Sequence, residues 1–244
     1  MLLHGFLGSA RNLTTLARAL TERDPTRGVV MLDLTGHGAS PPLPPGADSA
    51  TLAADVLATV RALGLAEPLA LVGHSLGGRV ALRAAQVEPG VVSSLTLLDI
   101  APGPLRAAGV DAIVDVLRRA PETVATRSVA RAHLVAGGAP LPIAEWLTLN
   151  LEPAGDGYRW RIDREALAAL HARVVREDLW PAVETSRAYR VRCIRGGASS
   201  YVDEAAVRRL EAAGCPVVTI EGADHFVPAE RPRETAAAIL DGLR

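Results

Sequence analysis

Ser75 sits in GHSLGG, residues 73–78, between the apolar run LALV at 69–72 and RVALRAAQ at 79–86, whose periodicity is helical. A serine hydroxyl becomes a nucleophile when a histidine accepts its proton and a carboxylate orients that histidine. A G-x-S-x-G match by itself arises by chance in roughly one protein in ten of this length, with Gly and Ser each near ~7% of residues. Its setting says more. A strand before and a helix after make a sharp turn that lifts the Ser75 hydroxyl out at the strand's end, where small glycines admit close backbone approach. The helix start also brings backbone N–H groups and a positive dipole end beside the nucleophile, so the Leu76 N–H is expected to be one donor to an oxyanion.

Six histidines could serve as the base. His4, His37 and His74 fall in turn motifs, while His133 and His171 lie on helical patterns, where surface or packing roles are expected. His225, in EGADHFVPAERP just past the apolar run PVVTI, is the remaining choice. A loop after the last strand can carry its Nε2 to the Ser75 hydroxyl.

Strands and helices must alternate to bring such distant residues together. Apolar runs (LLH, VVMLDL, LALVGHS, SLTLLDI, VRCIRGG, PVVTIEG) alternate with amphipathic stretches near 10–21, 52–63, 204–213 and 233–243. This pattern predicts an α/β domain, a mostly parallel sheet with helices on both faces. The rhythm breaks over about 101–190, where helical patterns recur without a convincing buried strand. A helical insertion, or cap, is therefore expected at 101–190, with the core domain at 1–100 and 191–244. Trp146, Trp160 and Trp180 all fall in the insertion and are expected to fill its core, the alternative being a wall of an apolar acyl pocket.

Composition narrows the partners. The net charge is −1, and the 26 basic residues, all arginine, are spread along the chain, which leaves no basic stripe for nucleic acid. No apolar run reaches the roughly 18 residues of a membrane span, and the first residues lack a signal-peptide pattern, so a cytoplasmic location is expected. Cys193 and Cys215 lie in or beside strand-like runs without zinc-ligand spacing and are expected to be buried thiols. Residues 41–46, PPLPPG, predict a stiff surface loop.

HGFLGSARN, DLTGHGAS, GHSLGG and GADHFVPAERP, in that order, resemble the α/β-hydrolase superfamily. The resemblance implies the α/β-hydrolase fold, with the cap inserted after the sixth strand of the usual fold, and a second oxyanion donor in the HGFLGS loop, the Phe6 N–H. It makes Asp33 and His37 turn-fixing scaffold. LLDIAPGPL, RGGASSYV and EWLTLNLEPAGDGYRWRID further resemble the bacterial YbfF-type esterases and their mitochondrial relatives. Many α/β-hydrolases carry the triad acid just after the strand that reads VRCIRGG here, but the aligned position is Ser199. In the YbfF-type esterases the acid comes from the DIAP motif instead, which maps onto Asp99. Asp203 and Asp224 are the alternatives. A strand-end cap is the plain structural role open to Asp99.

The expected activity is hydrolysis of small to medium acyl esters or thioesters, such as acyl-CoA, through an acyl-enzyme, with no cofactor or metal. Similarity also extends to carbon–carbon bond hydrolases and to lyases of menaquinone synthesis, whose carboxylate-bearing substrates would call for arginines from the cap facing the pocket. A non-catalytic binding member of the fold is a third class. Arg79, just past the elbow, is expected to make structural contacts. Similar hydrolases usually carry two more strands before HGFLGS, and these first two strands are missing here. Either VVMLDL forms an exposed apolar edge that pairs two chains as a homodimer, or an upstream segment is absent.

Overall fold

In the computed structural model, which describes residues 1–65, 68–105, 108–185 and 188–243, the core begins with β1 (Leu2–Leu3), α1 (Thr14–Arg23), β2 (Met31–Leu32) and α2 (Ser49–Ala62). β3 (Leu69–His74), α3 (Leu76–Val87) and β4 (Val92–Leu98) follow. The insertion contributes α4 (Ala108–Arg119), β5 (Thr123–Val124), α5 (Arg127–Ala136), α6 (Leu141–Leu147), β6 (Leu151–Ala154), β7 (Gly157–Trp160), α7 (Arg164–Val174) and α8 (Trp180–Glu184). The core closes with β8 (Arg190–Gly196), α9 (Glu204–Ala212), β9 (Val217–Ile220), α10 (Val227–Glu230) and α11 (Pro232–Asp241).

Six strands pair in parallel in the order β2-β1-β3-β4-β8-β9. Successive side chains on the central strands feed opposite layers, as the two-residue period of a strand requires. Leu71, Leu95, Leu97 and Cys193 join the cluster under α2 and α3, whereas Val72, Leu98 and Ile194 join the one under α1 and α11. Both cysteines are free and buried. β2 lies at one edge of the sheet, and Val29 to Leu32 are half-buried there.

The insertion between β4 and β8 departs from the all-helical expectation. It holds a three-stranded antiparallel sheet in the order β5-β7-β6 beside its five helices. These strands are two to four residues long and bury few side chains, so they lack the apolar run that marks a core strand. The one legible signal was Gly155-Asp156, a two-residue turn with Gly155 at φ 57° between β6 and β7. Trp160 fills the cap interior as expected, its Nε1 donating to the Pro121 carbonyl at 2.8 Å. Trp146 and Trp180 instead line the cavity beneath the cap.

Arg79, with no exposed surface, joins the cap to the core. Its guanidinium donates to the carbonyls of Ala101 at 3.3 Å, Gly103 at 2.8 Å and Glu177 at 2.6 Å, two at the start of the insertion and one near its end. Burial lowers its pKa to about 10, which still leaves it charged at neutral pH. Removing the guanidinium would strand three carbonyls in a buried site, each of which costs about 1–3 kcal/mol when unsatisfied. Arg79→Met is therefore expected to lose about 3 kcal/mol or more of stability in urea denaturation; an unchanged midpoint would contradict this tie between cap and core.

Candidate active site

Ser75 stands between β3 and α3 with φ 51° and ψ −115°, a left-handed backbone that a non-glycine residue adopts only where its surroundings hold it. Two glycines make the turn possible. A Cβ on Gly73 would collide with the Gly77 backbone, and one on Gly77 with the Leu3 carbonyl. The strand-to-helix turn expected around Ser75 is thus enforced by backbone packing.

His225 follows β9, and its Nδ1 lies 2.8 Å from Asp99 Oδ2. A carboxylate partner places the proton on Nδ1 and leaves Nε2 unprotonated to act as a base. Asp99, immediately after β4, is fully buried and also takes a left-handed backbone, with φ 50°. Its other donors are the Gly196 N–H, 3.0 Å from Oδ1, and the Ser199 hydroxyl, which binds Oδ2. A buried carboxylate needs such donors to offset lost hydration. Ser199, at the position where a carboxylate is often found, thus supports the acid from across the site. Asp203 instead caps α9 by accepting from the Ala206 N–H at 2.8 Å, and exposed Asp224 accepts from the His225 N–H at 2.8 Å. Among the described residues neither is hydrogen-bonded to the His225 ring.

Two neighbours that the sequence did not single out fix His225 further. The His74 Nε2 donates to the His225 carbonyl at 2.9 Å, and the Tyr201 ring stacks on the imidazole with centroids 3.7 Å apart and planes 13° from parallel. Spacing could not reveal either contact, because each depends on how the β8 and β9 loops fold over the elbow.

The HGFLGS loop forms a turn in which the Gly8 N–H donates to the Gly5 carbonyl at 3.0 Å, with Phe6 and Leu7 at its centre. Phe6 and Leu76 both border the cavity beside Ser75. Among the described residues neither backbone N–H is engaged by another group, as donors reserved for an oxyanion should be. His4 is buried structure: its Nε2 accepts from the Leu34 N–H at 3.0 Å and its Nδ1 donates to the Gly5 carbonyl at 2.8 Å. Asp33 fixes the neighbouring turns through the Ala10 and Ala39 N–H groups, at 2.6 and 2.8 Å.

These groups face a cavity of about 1020 Å³ between core and cap. Cap side chains Val110, Ile113, Ile143, Trp146 and Val174 give it apolar walls. Among the described residues, arginine reaches it only as Arg79 and Arg209, both from core helices. Arg79 is bound to carbonyls, and Arg209 is paired with Glu184 at 2.6 Å. Among the described residues no cluster of His, Cys, Asp or Glu is arranged to hold a metal ion. A serine at a strained turn, a histidine bound to a buried carboxylate and two unengaged backbone N–H groups thus border one cavity with apolar walls.

Burial lowers the pKa of both His37 and His74 to about 3, with the neighbouring His4 and His225 rings adding to the shift. Unfolding returns each imidazole to an ordinary value near 6.5. Below that pH the unfolded chain takes up protons that the folded chain refuses. The stability these two rings contribute is therefore complete above about pH 6.5 and declines as the pH falls towards 3. Each buried ring accounts for about 2 kcal/mol lost at pH 5. His37→Gln should remove that share of the difference between urea midpoints at pH 7 and pH 5; an undiminished difference would contradict a neutral buried His37.

Residues 1–238 match the model of a family described as the alpha/beta hydrolase family. The sn-1-specific diacylglycerol lipase ABHD11 of Mus musculus is 29% identical over 250 residues, 99% of this chain and 79% of that protein. Esterase YbfF of Escherichia coli is 28% identical over 246 residues, 98% of this chain and 90% of that one. A solved structure of an E-2-(acetamidomethylene)succinate hydrolase superposes with a TM-score of 0.80 at 27% identity, covering 99% of this chain and 90% of the other. No described helix is long and apolar enough to cross a membrane.

Proposed function

The chain belongs to the α/β-hydrolase family and is an ester hydrolase within it; from that premise we propose that it cleaves small to medium acyl esters or thioesters through Ser75, His225 and Asp99. The observation that carries the reading is the 2.8 Å contact from His225 Nδ1 to buried Asp99, made beside the cavity onto which the Ser75 elbow opens. His225 Nε2 takes the Ser75 proton as the hydroxyl attacks the acyl carbonyl. The Phe6 and Leu76 N–H groups receive the developing oxyanion. The imidazolium, stabilised by Asp99, then protonates the leaving alcohol or thiol, and the same base activates water to release the acid.

The apolar cap walls favour an acyl chain over a charged substrate. A carbon–carbon hydrolase or lyase reading is disfavoured, because no described arginine of the cap lines the cavity and both core arginines are already engaged. One structural neighbour is named for a succinate derivative, so a dicarboxylate ester remains a useful competing substrate in assays. A cytoplasmic location and pairing of two chains along β2 complete the proposal, the latter supported by the half-buried apolar residues at that edge.

Hydrolysis of p-nitrophenyl esters from acetate to palmitate is expected to peak at short to medium chains and to fall by at least ~10³-fold in Ser75→Ala. Asp99→Ala should lose ~10³–10⁴-fold in kcat, whereas Asp203→Ala should keep kcat within about threefold. The reverse ranking of the two aspartates would overturn the assignment of the acid. No ester turnover from a wild type whose Ser75 still reacts with a fluorophosphonate would favour the carbon–carbon reading.

A further inference from the structure

The segment EWLTLNLEPAGDGYRWRID lies in the cap, where Trp146 lines the cavity, and Asn150 in it makes a polar contact with the core. Asn150 ends a 3-10 turn, Thr148–Asn150, just before β6 and is 5% exposed. Its side-chain amide donates to the Leu7 carbonyl at 2.9 Å, a buried contact between residues 143 positions apart. We infer that Asn150 is a positioning residue for the loop that carries the Phe6 N–H, so that the cap sets the oxyanion geometry as well as the walls of the cavity. This rests on the serine-hydrolase reading and adds to it.

The loop itself explains why it needs a hold. Leu7 is buried, with φ 59°, a conformation that favours glycine and persists in other residues only where contacts over-determine it. The core secures the loop at its ends. His4 is bound to the Leu34 N–H, Ser9 N–H donates to Asn12 Oδ1 at 2.7 Å, and Ala10 N–H donates to Asp33. Its centre is held from the cap. Besides the Asn150 bond to Leu7, the Phe6 ring stacks on His171 of α7, centroids 5.0 Å apart and planes 27° from parallel. His171 Nε2 is in turn 2.9 Å from Asp111 of α4.

Asn150 is itself well anchored. Its carbonyl accepts from the Arg161 N–H at 2.8 Å. The Arg127 guanidinium binds the carbonyls of Thr148 and of Leu151, the latter at 2.7 Å. The amide therefore projects from a fixed turn, and a small displacement of the Leu7 peptide would be passed along the turn to the Phe6 N–H. Oxyanion donors act chiefly in the transition state, so the loss should appear in kcat and spare KM.

The test compares wild type with Asn150→Asp, which keeps shape but sets an oxygen against the Leu7 carbonyl, and with Asn150→Ala. Three quantities are read: kcat and KM for p-nitrophenyl butyrate, and Ki for an alkyl trifluoromethyl ketone. Ser75 adds to that ketone's carbonyl, its proton passing to His225, and leaves a tetrahedral oxyanion in the hole. Both variants are expected to lose about 10–100-fold in kcat with KM within about twofold, and Ki should rise by the same factor as kcat falls. Ki and KM report on the folded molecules alone, so their ratio stands even if less of a variant folds. An unchanged kcat, or parallel shifts in KM and Ki, would overturn the inference and leave the esterase reading intact. A wild type that neither hydrolyses esters nor reacts with a fluorophosphonate would sink the serine-hydrolase reading instead, and this inference with it.

Discussion

The Asp99 carboxylate is the constraint around which the catalytic end of the sheet is arranged. A charge with no exposed surface is tolerated only when donors replace its hydration. Here they come from three places in the chain: the end of β8 through Gly196, the following loop through Ser199, and the loop after β9 through His225. Satisfying this one group draws the C-terminal ends of β4, β8 and β9 into register, where ligands bind in open α/β sheets. The left-handed backbones at Ser75 and Asp99 belong to the same bargain, since each turns a side chain away from its strand into the shared site.

Rigidity at His225 follows from several weak contacts acting in different directions. Asp99 fixes the ring at Nδ1, Tyr201 covers one face, and His74 holds the backbone carbonyl. Burial lowers the His74 pKa to about 3, so His74 is a neutral donor at neutral pH. Two histidines less than 5 Å apart, centroid to centroid, therefore avoid the repulsion that a second imidazolium would impose.

Ser75, Leu76 and His225 were legible in the sequence because their signals are local: a glycine-bounded serine between strand and helix, and a histidine just past the last apolar run. Asp99 was legible only through resemblance. The residues alone offered three acids, and what separates them is tertiary: Asp203 is consumed as a helix cap and Asp224 by its neighbour's N–H. The short cap sheet escaped because its strands are only two to four residues long and fully bury few side chains, too short a run to show the alternation on which strand reading depends. For Trp146 and Trp180 the sequence leaves cap interior and pocket wall both open, because an aromatic ring looks the same in sequence whether it faces a core or a cavity.

Core and cap are tied at points that bear on chemistry as much as on stability. Arg79, rooted in the helix that follows Ser75, grips the cap where it leaves the core and again near its return. Asn150 runs the other way, from cap to the loop opposite Ser75. Both sides of the proposed oxyanion site are thus tied to the cap: one through the α3 backbone, the other through the Leu7 carbonyl. A cap that shifted as a rigid body would move the Phe6 side relative to the Leu76 side, because α3 is also fixed by packing against the sheet, whereas the turn at Leu7 is strained and short. On the proposed reading, each donor of the oxyanion is therefore tied to the insertion through one buried polar contact, Arg79 on the Leu76 side and Asn150 on the Phe6 side, and geometry at the reacting carbonyl depends on both.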